Sequence, residues 1–90
     1  MTVRVKLPTL LRAKAGGERV VAAAGATLAE VLDDLESRHP GLTARLRTGG
    51  ALSRYVNVYV NDEDARHLGA LDAPVAKGDT VSIIPAVAGG

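Results

Sequence analysis

The sequence contains no cysteine, phenylalanine or tryptophan, and its only aromatic side chains are Tyr55 and Tyr59. Without cysteine there is no disulfide, thiolate nucleophile or cysteine-based metal site, and this usage suits a reducing cytoplasm. Without aromatic platforms the chain lacks the stacking surfaces on which single-stranded nucleic acid is bound. A formal net charge of +1 leaves no electrostatic footprint for duplex DNA or anionic lipid. No apolar run approaches the ~20 residues that a membrane span requires. The opening Thr2-Val3-Arg4-Val5-Lys6-Leu7 alternates like a strand, unlike the apolar block of a signal peptide. A soluble, cytoplasmic protein without nucleic-acid or membrane partners is expected.

Catalytic motifs are equally scarce. His39 and His67 have no neighbour at ligand spacing and read as surface residues. Asp62-Glu63-Asp64 lacks the spacing and central glycine of a calcium loop. It reads as a solvated turn, with an acidic docking patch as the alternative. Gly16-Gly17 and Gly49-Gly50 do not continue into a phosphate-binding pattern. Ser37, Ser53 and Ser82 lack the setting of a nucleophile elbow. No catalytic residue, metal site or bound cofactor is expected.

Ninety residues, 47% of them apolar, suffice for one small domain with a thin core. The first strand puts Val3, Val5 and Leu7 on one face, and Pro8 ends it. Gly16-Gly17 lies in a loop before a second strand over Glu18–Ala23. Thr27-Leu28-Ala29-Glu30 is a capping box, and Leu28, Val31, Leu32 and Leu35 form the apolar stripe of a helix that Pro40-Gly41 stops. A further short turn of helix is expected over Leu42–Arg47, then a loop at Thr48–Gly50. Arg54–Val60 reads as a strand with its valines inward and Tyr55, Asn57 and Tyr59 outward. A short edge strand near Ala65–Leu68 and a last strand, Val81–Ile84, complete the pattern.

A helix across one face of a mixed sheet of four to five strands buries both apolar stripes. This is an α+β, β-grasp arrangement, with the first and last strands paired at its centre. Residues 1–85 form the domain and 86–90 a flexible tail. With Val81 and Ile83 inward, Ile84 joins Tyr55 and Tyr59 as a candidate partner-docking patch on the bare face of the sheet.

After Pro85 the sequence reads Ala86-Val87-Ala88-Gly89-Gly90. Two residues without Cβ atoms let a terminal carboxylate enter a channel too narrow for side chains. Read without the rest of the chain, such an ending also fits a frayed terminus.

Val58–Asp64, Gly78–Pro85 and Ala86–Gly90 together resemble the ubiquitin-like sulfur carriers of the ThiS/MoaD family. Leu7–Arg12, Tyr55–Asp64 and the Val-Ala-Gly-Gly ending are most similar to its actinobacterial CysO-type members. The resemblance spans essentially the whole chain. It implies that an E1-like adenylyltransferase uses ATP and magnesium to activate the Gly90 carboxylate, which then becomes a thiocarboxylate. It also implies a sulfur-accepting synthase, either a pyridoxal-phosphate-dependent cysteine synthase or another biosynthetic enzyme, and a metalloprotease that releases cysteine. A protein modifier joined through Gly90 to lysines, or a β-grasp module never activated, are the competing readings.

Overall fold

The computed structural model describes residues 2–44 and 46–85. The alternation at the start of the chain becomes β1 (Thr2–Lys6), with Val3 and Val5 fully buried and Thr2, Arg4 and Lys6 exposed. β2 (Val20–Ala24) returns antiparallel to it, with Val5 opposite Val21. It begins at Val20, two residues later than expected, although one further bond, Leu7 N to Arg19 O at 2.8 Å, continues in register past the strand ends.

The helix α2 (Leu28–Arg38) has Leu28, Val31, Leu32 and Leu35 wholly inside. Its N-terminus is closed by Thr27 Oγ1, which accepts from Glu30 N at 3.3 Å. Glu30 Oε1 reaches back to the amide of Ala26, at 2.8 Å, one residue before the cap. Gly25 lies against this first turn, where a Cβ would come within 2.7 Å of Val31 N; glycine is required there by close approach.

Two carboxylates fasten α2 to its surroundings. Asp34 Oδ2 accepts from Ala24 N at 2.9 Å and from Arg38 Nε at 2.6 Å. Glu36 accepts from Gly41 N (2.7 Å) and from both N (3.2 Å) and Oγ1 (2.7 Å) of Thr43, so it organises the turn that leaves the helix. The Ala24 amide, aided by Arg38, lowers the Asp34 pKa; the Gly41 amide, then Thr43, lower that of Glu36. A depressed carboxylate pKa contributes stability that is complete above the unfolded-state value and lost as pH falls through the folded value. The melting temperature should therefore drop below about pH 4, and less steeply in the Asp34→Asn/Glu36→Gln double variant, as measured by circular dichroism across pH. Parallel profiles for the two proteins would show that these contacts carry no linkage.

Beyond α2, Leu42 and Leu46 are fully buried. They enter the core from hydrogen-bonded turns rather than from a helix, Leu42 N donating to His39 O and Leu46 N to Thr43 O. The expected loop at Thr48–Gly50 is the tip of a small hairpin, β3 (Arg47–Thr48) against β4 (Ala51–Leu52). Gly49 (φ 59°) and Gly50 (φ 82°) supply the two positive φ angles that a tight primed turn needs.

β5 (Val56–Val60) turns Val56, Val58 and Val60 inward. The edge strand β6 is Glu63–Asp64, before the expected Ala65–Leu68. Asp64 accepts from Arg66 N at 2.9 Å and caps a 3-10 turn over Ala65–His67, which ends the strand. β7 (Thr80–Pro85) closes the structure. The five-stranded order is β2-β1-β7-β5-β6, with β7 parallel to β1 and antiparallel to β5. First and last strands lie side by side, α2 covers one face, and the architecture is the expected mixed-sheet β-grasp. Among the described residues no helix is long and apolar enough to cross a membrane.

Candidate functional site

The last described residue, Pro85, sits opposite Val56 at the end of β7. Because β7 is flanked by β1 and β5, whatever follows Pro85 starts from a fixed point. Ala86, Val87, Ala88, Gly89 and Gly90 lie outside the described residues.

Around Pro85 the apolar surface is concentrated. Ile84 is 47% exposed and stands opposite Asn57 on the open face. Tyr55 is 60% exposed but precedes β5 rather than belonging to it. Its amide donates to Ser53 Oγ at 3.1 Å and Val56 N donates to Ser53 O at 3.4 Å, so the chain turns there instead of extending. Tyr59 shares the open face but is half-buried, opposite Ser82 and Asp64 and farther from Pro85 along β5.

The turn carrying Tyr55 is held from outside. Arg66 Nη2 donates to Ser53 O (2.8 Å) and Val56 O (2.9 Å), while its Nη1 donates to Asn57 Oδ1 (3.2 Å). The Arg54 guanidinium lies 5.5 Å from the centre of the Tyr55 ring, within cation–π range.

Pro8 and Leu10 enter this region through α1 (Thr9–Arg12), a single turn of helix where only a loop was expected. Leu11 is buried, whereas Leu10 is 56% exposed. A cleft of about 180 Å³ is lined by Pro8, Leu10, Leu11, Leu46, Tyr55, Val56 and Pro85. A shallower groove shares Pro8, Leu10 and Pro85 with it and runs past Arg12 to Ile84. The sequence did signal Leu10: it adjoins another leucine, and one side of a single helical turn cannot bury both.

His39 is half-buried at the end of α2 and His67 is exposed after β6. Among the described residues no group of three His, Asp or Glu side chains is placed to hold a metal ion. Asp62 and Glu63 are exposed, and Asp64 is the half-buried cap of the 3-10 turn.

Comparison with known proteins matches residues 5–90 to the ThiS family. The chain is 50% identical to the Sulfur carrier protein CysO of Mycobacterium tuberculosis, over the full length of both. It is 40% identical over 65 residues to Small archaeal modifier protein 3 of Haloferax volcanii, covering 72% of this chain and 71% of that protein. Its backbone superposes with a TM-score of 0.93 and 57% identity on a chain of the Amycolatopsis orientalis BexX/CysO complex, covering 98% of this chain and 99% of that one. A central last strand delivered to an apolar rim, on a β-grasp domain similar end to end to CysO, places the chain in the ThiS family.

Proposed function

We propose that this protein is a sulfur carrier whose Gly90 α-carboxylate is activated and converted to a thiocarboxylate. The observation that carries this reading is the full-length similarity to Sulfur carrier protein CysO. The geometry supports it: the domain offers a fixed strand end and an apolar rim at Pro85. The complex of CysO with BexX in Amycolatopsis orientalis supports work done while docked on partners.

In this reading an E1-like adenylyltransferase binds the tail with ATP and magnesium. A Gly90 carboxylate oxygen, ionised at neutral pH, attacks the α-phosphorus and pyrophosphate leaves. A hydrosulfide sulfur then attacks the acyl carbon and AMP leaves, exchanging one oxygen for sulfur. The thiocarboxylate sulfur attacks an electrophile on a pyridoxal-phosphate-dependent cysteine synthase, or on an enzyme building another cofactor or secondary metabolite. A metalloprotease frees the cysteine and restores the carrier. Catalytic groups, metals and cofactors belong to these cytoplasmic partners, and the protein is their cosubstrate. Tyr55, Tyr59 and Ile84 are the proposed docking residues.

The similarity to Small archaeal modifier protein 3 favours one second reading, conjugation of Gly90 to lysines of other proteins. Incubation with an E1-like adenylating enzyme, ATP and sulfide separates the two. Intact-mass spectrometry is expected to show the carrier gaining the mass difference of sulfur over oxygen. Conjugates on other proteins without that gain would favour the modifier, and an unchanged mass would overturn both.

A further inference from the structure

We propose that the cleft at Pro85 is a docking site for one apolar side chain presented on an acidic surface of the activating enzyme; this rests on the carrier reading, which supplies that partner. Among the described residues four large hydrophobic side chains are exposed, Leu10, Val20, Tyr55 and Ile84, and three of them stand at the cleft or its adjoining groove. Such convergence distinguishes a docking patch from scattered surface apolarity. The cleft's volume of about 180 Å³ exceeds that of an engineered core cavity which admits benzene, so a leucine- or phenylalanine-sized group fits.

Charge selects the surroundings of that group. Arg12 lines the groove, its Nε donating to Leu7 O at 3.2 Å. Arg54 stands over Tyr55, and Lys14 lines a further depression beside Leu10 and Leu11. No residue lining these three depressions is acidic. Nine of the ten acidic side chains lie elsewhere: Glu30, Asp33, Asp34 and Glu36 on α2, behind the sheet, Asp62, Glu63 and Asp64 past the far end of β5, and Asp72 and Asp79 in the segment before β7; Glu18, just ahead of β2, stands beside the end of β1. On the open face itself β1 adds Arg4 and Lys6. A partner with an apolar anchor ringed by carboxylates is thus attracted to this end and repelled from the other. The anchor supplies affinity while the charges set approach and register.

The test uses the full chain and a purified E1-like adenylating enzyme. ATP–pyrophosphate exchange gives kcat and KM, and calorimetry without ATP gives Kd. Leu10→Asp and the double variant Arg12→Glu/Arg54→Glu are each expected to raise KM and Kd about tenfold or more, with kcat within about twofold. Added salt should raise the wild-type KM and affect the double variant less. Asp62→Lys, at the acidic end, should change KM by less than about twofold. Circular dichroism confirms that each variant is folded. The proposal is overturned if both cleft variants keep wild-type KM and Kd, if Asp62→Lys costs as much as they do, or if kcat falls in place of affinity. Binding without exchange in the wild type overturns the carrier reading alone, since Kd still scores the cleft; exchange insensitive to both cleft variants overturns the cleft alone. Absence of both binding and exchange overturns the two together.

Discussion

Deleting Gly90, or adding one residue after it, is expected to abolish thiocarboxylate formation while leaving the melting temperature unchanged. In the proposed mechanism the Gly90 carboxylate has to reach the α-phosphorus of a bound nucleotide from the fixed end of β7. Pro85 is that end, fixed by β7 between β1 and β5, and the five residues beyond it span at most about 17 Å. One residue more or less shifts the carboxylate by about 3.4 Å, where a misplacement of ~1 Å already costs about a hundredfold. A side chain in place of Gly89 or Gly90 adds a steric barrier to the same entry. Mass spectrometry after activation reads the loss, and circular dichroism confirms the fold. Sulfur acquired by either length variant at the wild-type rate would remove Gly90 from the mechanism.

Leu32→Ala should produce the largest loss of stability from a single core substitution. Leu32 is fully buried within the apolar stripe of α2, the longest helix among the described residues. Truncating such a leucine costs about 3 kcal/mol through lost transfer energy and the cavity left behind. Small domains are stable by only about 5–10 kcal/mol, so the melting temperature should fall by about 15 °C. Leu32→Met, which keeps the volume, should recover most of it. A fall of less than about 5 °C in the alanine variant would mean that the helix–sheet layer is not what limits stability.

The parts legible in the sequence were those governed by short-range rules. Thr27 and Glu30 announced the start of α2, and the leucine spacing announced its buried face. The valine alternation of β1, β5 and β7 gave inward and outward faces correctly. Where the reading failed, distant partners decided. Tyr55 looked like strand because it continues the alternation, yet Ser53 and Arg66 bend the chain there. The edge strand was misplaced because Asp64 caps the turn that follows it. Gly49-Gly50 carried a hairpin signal, but with strands of two residues the flanking pattern was too short to read. Tyr55 and Ile84 were picked out singly, but the cleft itself was not legible, since Leu10, Leu46 and Tyr55 meet only after three separate segments have folded.

The pairing of the first strand with the last has a consequence for synthesis. β1 and β2 leave the ribosome early and can pair at once, and α2 follows. Among the described residues β5 is linked to β1 only when β7, which follows both in the chain, slides between them. The nascent chain therefore holds an unfilled slot with two open strand edges until residues 80–85 have been made, and such edges invite unwanted pairing. Insertion of β7 fills the slot and, in the same event, brings Pro85 beside Val56 and Leu10. Placement of Pro85 at the cleft and completion of the five-stranded sheet are thus one step. An activating enzyme that needs this rim would discriminate against unfinished copies without a separate proofreading device.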